Sequence, residues 1–502
     1  MRPPARITLE QFHDRRWELL ALTSVGAFMT PLDSSIIAVA LSAMSPDLSL
    51  SFGQSMWVQA AYLLAMAVLL IPLGRLADQH GRLRFYLIGV VVFTLGSVLA
   101  AASLNGTWLI GSRVIQGGGA ALLSATSAAI VTAVFPPSER GRALGLNVMA
   151  VYIGLSIGPP LGGFLVDNVG WRWIFLINLP IGIVLFVWGL LLLPRTETEN
   201  RAAPRPDILG AALLGVFLVC LLVPLTFAPE WGWAAAHTVG LLALAVLSLV
   251  AFVIVELRVT DPVLDLDLLL HNRLFAAANT AALLNYMALF AISMLTAIYL
   301  EVVQGRSAAI TGWLMLGQPV MQAVLSPLAG RLSDRIGSRV LATSGMLLTG
   351  AGMVLLGAMP ASAGMPRVIF SLAVVGVGLA AFSAPNTSAI MGSVARHQLG
   401  LASAFLATMR VVGMALSVAV LGGIAASQLG RLGGRLLFSH GQDAGALAGK
   451  AVSDYADGYS LAMYTGAALA LLGAAVSLTR GARGEEAAPK PGPAAVPRSA
   501  GG

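Results

Sequence analysis

Asp33 is a carboxylate well inside a long apolar run, in the segment PLDSSIIAVAL (31–41). A charged carboxylate within hydrocarbon costs about 2.5–3.5 kcal/mol on insertion scales, so such a group faces a cavity and not lipid. Desolvation favours the neutral acid, which suits a buried carboxyl to taking up and releasing a proton. Asp33 is therefore the first candidate for proton coupling, for contact with a cationic molecule, or for both. A structural Asp hydrogen-bonded to Ser34 is the plainer alternative. Pro31, two residues earlier, is placed to break the helix locally and free backbone carbonyls beside it. Arg113, with Gln116 one turn on, lies in a second apolar run. A guanidinium there needs a carboxylate, a chain of polar groups or backbone carbonyls as partner. Arg410 stands in a third run, as a candidate for substrate contact or for balancing Asp33; otherwise it snorkels toward the cytoplasm. Glu301 closes another run and reads as an exposed helix-end carboxylate that could also meet cationic substrates.

Other chemistries lack their residues. His13, His80, His237, His271, His397 and His440 all fall away from mid-span depth, which leaves no cluster for a membrane-embedded enzyme. Cys220 is the single cysteine, so neither an intramolecular disulfide nor a cysteine metal site can form. Lys450 and Lys490 are the lysines, and neither sits in a GxxxxGK[ST] phosphate loop, so ATP does not drive this chain.

The elements that must position Asp33, Arg113 and Arg410 follow from composition. Of 502 residues, 57% are apolar and 11% charged, against about 45–50% and about 25% in soluble domains. So few charges cannot cover a water-soluble surface of this length. Apolar runs long enough to cross a bilayer fall at 17–41, 56–76, 84–103, 108–134, 142–166, 171–193, 207–226, 236–257, 274–300, 310–330, 339–359, 366–391, 400–425 and 459–480. Barrel strands would be half as long and alternating, so these fourteen runs are helices, and the expected fold is an all-α polytopic membrane protein.

Most of the 30 Lys and Arg residues fall on one side of this arrangement. The other side receives Arg172, Arg306, Arg367, Arg431, Arg435 and Lys450. The positive-inside rule then puts both termini in the cytoplasm. Trp57, Trp108, Trp171, Trp173, Trp231, Trp233 and Trp313 all map to outer helix ends, where an amphipathic ring prefers the headgroup layer. The basic residues are scattered between apolar runs, a pattern of membrane-protein loops and not of nucleic-acid binding. The chain divides into a cytoplasmic segment 1–16, a six-helix bundle 17–193, and a stretch 194–273. That stretch holds a polar linker, an extra helix pair and an amphipathic connector along the inner membrane surface. A second six-helix bundle follows at 274–480, with a long outer loop at 427–458, and 481–502 reads as a disordered tail.

The two bundles are related. GRLADQHG (74–81) recurs as GRLSDRIG (330–337), Gly117 and Gly119 are echoed by Gly376 and Gly378, and Gly141, Gly154 and Gly163 by Gly400, Gly413 and Gly422. An even number of spans separates the copies, so the repeat is parallel.

GRLADQHGRLR (74–84) resembles the signature loop of the major facilitator superfamily. PLDSSIIAVAL (31–41), RVIQGGGAA (113–121) and GLSIGPPLGG (154–163) resemble the span-one, span-four and span-five motifs of its drug:proton antiporters. WRWIFLINLPIG (171–182), with the central helix pair, resembles the fourteen-helix branch of EmrB- and QacA-like exporters. The similarity covers all fourteen spans. His80 and Leu83 depart from the loop motif, and the second copy has lost part of its basic run.

That resemblance implies alternating access, with small cationic or neutral amphipathic drugs or metabolites leaving in exchange for protons. The proton gradient is the energy source, no cofactor or metal is required, and Arg113 belongs with Asp33 on the proton path. A dedicated exporter of one metabolite and a proton-linked symporter stay open on the same fold. Gly74, Arg75, Asp78, Gly81 and Arg82, with Gly330, Arg331, Asp334 and Gly337, form the expected cytoplasmic gate, tying the halves by charge and helix dipole. Gly154, Gly158, Pro159, Pro160, Gly162 and Gly163 permit close approach and a bend in span five, as a hinge or a seal between halves. Partners are the lipid bilayer, small-molecule substrates and protons. The chain is expected to act as a monomer, with a periplasmic adaptor and outer-membrane channel only where the host has an outer membrane. An Arg to Lys ratio of 28 to two points to a GC-rich bacterial genome, and the expected location is the bacterial cytoplasmic membrane.

Overall fold

The computed structural model describes residues 15–136, 138–193, 207–259, 262–264, 266–394, 398–429, 433, 437–438 and 445–480. Residues 1–14, the linker 194–206, most of 430–444 and the tail 481–502 lie outside the described residues. Among the described residues every regular element is helical, and 14 helices are long and apolar enough to cross a membrane. The first bundle comprises span 1 (Arg16–Val39), span 2 (Phe52–His80), span 3 (Arg82–Ala101), span 4 (Gly106–Val134), span 5 (Arg140–Asn168) and span 6 (Trp173–Leu192). Span 7 (Ile208–Trp231) and span 8 (Ala236–Glu256) are the extra pair. The second bundle comprises span 9 (Arg273–Val303), span 10 (Ala308–Ser333), span 11 (Ser338–Gly357), span 12 (Met365–Gly392), span 13 (Leu401–Ser427) and span 14 (Gly449–Leu478).

Local signals set where these helices begin and turn. Ser51 and Gln54 form a capping box at span 2, with the Ser51 hydroxyl accepting from the Gln54 amide at 3.3 Å and Gln54 Oε1 accepting from the Ser51 amide at 2.9 Å. Asn105, Asn272 and Ser307 cap spans 4, 9 and 10 by the simpler half of that arrangement, a side-chain oxygen accepting from the amide three residues on. The repeated loop has a backbone reason for its last glycine: Gly81 has φ 114° and Gly337 φ 92°, a region that side chains disfavour. Each glycine turns the chain directly from one helix into the next.

Packing repeats as the sequence does. Span 1 packs on 5, 2 on 4, 3 on 4 and 3 on 6; span 9 packs on 13, 10 on 12, 11 on 12 and 11 on 14. Span 7 lies against span 2 of the first half and span 13 of the second, and span 8 covers span 7. The halves meet at their outer ends. There Gly163 of span 5 abuts the Ala308 backbone, Gly312 of span 10 abuts the Pro159 backbone, and a Cβ on Gly422 of span 13 would stand 3.0 Å from Met56 of span 2. At the cytoplasmic ends Gly141, Gly145, Gly330 and Gly392 face open space. The molecule is closed outside and open toward the cytoplasm.

Two expectations change. The outer connection 427–458 is helical again from Gly445, because Tyr455 and Tyr459, one turn apart, are both fully buried and extend the last helix. The tryptophans divide: Trp108, Trp173, Trp233 and Trp313 are exposed, whereas Trp57 and Trp171 are buried. Trp57 stacks on Phe227 of span 7 at 6.2 Å, and the Trp171 indole N–H donates to Asp47 at 2.9 Å. These two rings pack on the extra pair and the outer loops instead of facing outward.

Candidate functional site

Asp33 and Arg113 form a completely enclosed ion pair, with both side chains 0% exposed and Arg113 Nη1 2.6 Å from Asp33 Oδ2. The other carboxylate oxygen accepts from Gln116 Nε2 at 2.6 Å and Asn178 Nδ2 at 2.9 Å. Arg113 donates further to the Val58 carbonyl at 3.0 Å, to Gln59 Oε1 at 3.4 Å and to Gln116 Oε1. Gln59 donates to Ser34 at 2.7 Å, and Gln116 and Asn178 both reach Ser97. The guanidinium carbon stands 4.3 Å from the centre of the Tyr62 ring, a cation–π contact in a desolvated setting. Spans 1, 2, 3, 4 and 6 all contribute, so one network ties most of the first half together.

Glycines bring these helices close enough. A Cβ on Gly96 of span 3 would meet the Gln116 backbone at 2.7 Å; Gly117 sits on the Tyr62 carbonyl of span 2 and Gly119 on the Phe93 amide of span 3. Any larger residue at these points would push span 4 outward and draw Arg113 away from Asp33. Taking two ions out of water costs several kcal/mol per ion, which only good geometry and further hydrogen bonds repay. Here both carboxylate oxygens and the guanidinium have such bonds. Val58, Gln59 and Gln116 hold Arg113 independently of Asp33.

Gln116 belongs to this network and does not face an open cavity, as the substrate candidates were expected to do. Sequence reasoning missed Asn178, Gln59, Ser97 and Tyr62. Asn178 lies in the segment WRWIFLINLPIG, and a polar amide in that apolar run was the available signal.

Arg410 does not balance Asp33, whose cation is Arg113. It is exposed beside Tyr152 of span 5, which also contacts Ser383 of span 12 and Gln322 of span 10. Glu301 is half-buried, not exposed: it sits on the π-helical end of span 9, near Ser42 and Asp167, where the halves close.

The span-five residues separate into two groups. Gly154, Gly158 and Gly162 bury span 5 against Phe28, Ser35 and Ile36 of span 1, within one half. Gly163, Pro159 and the neighbouring Pro160 meet span 10 across the halves. Asp167 adds a polar tie, accepting from the Ala309 amide at 2.9 Å in the first turn of span 10. A carboxylate against a helix N-terminus was expected at the cytoplasmic gate; it occurs on the outer side because that is the closed side here.

At the cytoplasmic loops Arg82 pairs with Asp78 at 2.6 Å and donates to the Ala129 carbonyl at 3.0 Å, so these bonds stay inside the first half. Gly74 faces Ala125 of the same half. Arg75 reaches the Pro262 carbonyl of the connector after span 8. Arg331 is exposed, and the Asp334 side chain lies outside the described residues. The opposite face carries another local tie, in which Arg172 lies 2.7 Å from Asp47. Hydrogen bonds from Arg172 and Trp171 hold the Asp47 carboxyl below its usual 3.8. A depressed acid stabilises above its unfolded value and weakens only as pH falls through the folded one, so this clamp persists in mildly acidic surroundings.

Comparison with known proteins places this geometry. The family model described as Major Facilitator Superfamily matches residues 23–260 and 278–500. The riboflavin transporter RibZ of Clostridioides difficile is 33% identical over 81% of this chain and 87% of its own length. The multidrug resistance protein Stp of Mycobacterium tuberculosis is 37% identical over 82% and 77%. The tetracenomycin C resistance and export protein of Streptomyces glaucescens is 32% identical over 97% and 96%. Among solved structures, a bacterial homolog of the human lysosomal transporter Spinster, inward-facing and unoccupied, shares the fold with TM-score 0.66 at 16% identity, covering 92% of this chain and 96% of that one. With fourteen membrane helices in two matching six-helix halves around an extra pair, this multi-pass membrane chain belongs to the major facilitator superfamily of transporters.

Proposed function

We propose that this protein exports small amphipathic organic molecules from the cytoplasm in exchange for protons, by alternating access of its two halves in a bacterial cytoplasmic membrane. The observation that carries this reading is the enclosed Asp33–Arg113 pair. It is one carboxylate and one guanidinium, buried mid-span in the first half, with neutral acceptors ready to hold Arg113 when Asp33 is protonated. In the inward-open state the ionised pair awaits substrate from the cytoplasm. Once the outer seal opens, a proton reaching Asp33 loosens the pair and favours return. The driving force is the proton gradient, the chain acts as a monomer, and no cofactor takes part.

The named relatives support export of antibiotics and drugs. The riboflavin transporter among them favours a second reading, in which one metabolite is carried on the same scaffold. A growth-inhibition panel of unrelated dyes and antibiotics in a pump-deleted host separates the two: protection against many compounds supports drug efflux, protection against one supports a dedicated carrier. For coupling, Asp33→Asn is expected to insert normally yet lose export driven by a pH gradient. Proton release from inverted vesicles on addition of a protected compound, undiminished in that variant, would contradict the assignment.

A further inference from the structure

A second polar cluster lies between the halves and is not used by the proton-coupling pair. Tyr152 of span 5 contacts Ser383 of span 12 and Gln322 of span 10, with Tyr286 of span 9 and Arg410 of span 13 close enough to act on its hydroxyl electrostatically. One span of the first half and four of the second thus converge on a single phenol. Gly413, almost one turn beyond Arg410, packs on the Leu283 carbonyl and on Tyr286. That contact turns this face of span 13 toward span 9 of the same half, and the nearness of Arg410 to Tyr152 of span 5 sets its guanidinium on the side that meets the first half. Arg410 is exposed there and makes no hydrogen bond or ion pair with the described residues.

Charge selects the ligand. Asp33, Arg113 and Arg410 are the charged residues well inside the spans. The first two compensate each other and are 0% exposed, so neither presents charge to the cavity. The charge that the inward-open cavity displays at this depth is the guanidinium of Arg410. Between low-dielectric walls a free cation repels other cations and draws anions, and the planar fork of Arg fits a carboxylate or an ionised oxygen. Two phenol rings beside it offer faces for an aromatic system. Gln322 and Ser383 supply neutral hydrogen bonds.

We infer that the cavity binds anionic aromatic molecules, bearing a carboxylate or an ionised phenol, with Arg410 on the charge and Tyr152 and Tyr286 against the rings. This deepens the export reading and rests on it for taking the inter-half space as the substrate path. It also reverses the sign of charge expected of the substrate from Asp33 alone.

Fluorescein and rhodamine 6G share a xanthene ring system and differ in the sign of their charge, so the pair isolates this variable. Binding of each dye to the purified full chain in detergent is measured by fluorescence anisotropy, with no pH gradient present. The expected result is that fluorescein binds at least about tenfold more tightly, as a charge-assisted contact allows. Arg410→Gln should lose most of that preference and Arg410→Lys should keep more of it, with the thermal unfolding midpoint of both variants close to that of the parent. Equal affinities, a preference for rhodamine 6G, binding of neither dye, or a preference unchanged in Arg410→Gln would each overturn the inference. Failure of Asp33→Asn to abolish gradient-driven transport removes the coupling assignment and leaves this one standing. A cation preference alongside intact proton-driven export removes this one alone.

Discussion

Arg113 and Asp33 were legible as a site because charges are scarce: in a chain with 11% charged residues, those inside apolar runs stand out. Their partnership was not legible, since nothing in linear spacing says that residues 80 positions apart share a hydrogen bond. The neutral members of the network were harder still. Gln59, Ser97 and Asn178 carry no formal charge, so they leave only a faint mark in hydropathy. Arg410 shows the opposite case, a visible charge that the linear sequence leaves open between substrate contact, balancing Asp33 and snorkelling. A stability prediction belongs to this scale. Arg113→Met strands a buried carboxylate and should cost about 3–5 kcal/mol, whereas Asp33→Asn with Arg113→Met removes both charges and should recover much of that loss. Thermal unfolding of the purified variants measures it, and simple additivity of the two single losses would show that the ions do not act as a pair.

Helices were legible from their apolar length, and the motif glycines from their recurrence, but a glycine motif does not say which neighbour it serves. Span 5 illustrates this. Its glycines alternate between an intra-half contact with span 1 and a contact across the halves with span 10, and three-dimensional packing alone separates Gly162 from Gly163. The last helix was underestimated for a related reason. Residues 445–458 contain Lys450, Asp454 and Asp457, so hydropathy marked them as loop although Tyr455 and Tyr459 bury a helical face. At this scale, Gly163→Leu should prevent the outer ends from closing, because its side chain would fall on the Ala308 backbone, which cannot swing aside. Cysteine accessibility at outer positions should rise in that variant, and gradient-driven export should fall at least about tenfold, while Gly240→Leu, in open space on span 8 outside both halves, should leave both unchanged.

The whole molecule is two similar halves with dissimilar interiors. At the offset that relates Gly117 to Gly376, the places of Arg113 and Gln116 are taken by Leu372 and Val375, both fully buried. The first half therefore holds the enclosed Asp33–Arg113 pair, whereas the second places Arg410, Gln322 and Ser383 around Tyr152. Span 7 bridges both, lying on span 2 and span 13, and gives the fourteen-helix form a brace that a twelve-helix body would lack. Such a division lets protonation in one half alter how the other half meets it, provided each ligand favours one of the two global states. The most direct measurement is the distance between spin labels at Gly141→Cys and Gly392→Cys, which face open space at the cytoplasmic ends of spans 5 and 12, with Cys220 replaced. The account predicts that acidification lengthens this distance in the otherwise native protein, because the protonated acid favours return to the inward-open state, and that Asp33→Asn, which mimics the protonated acid, holds the long distance at every pH. A variant that kept the full pH response would contradict it.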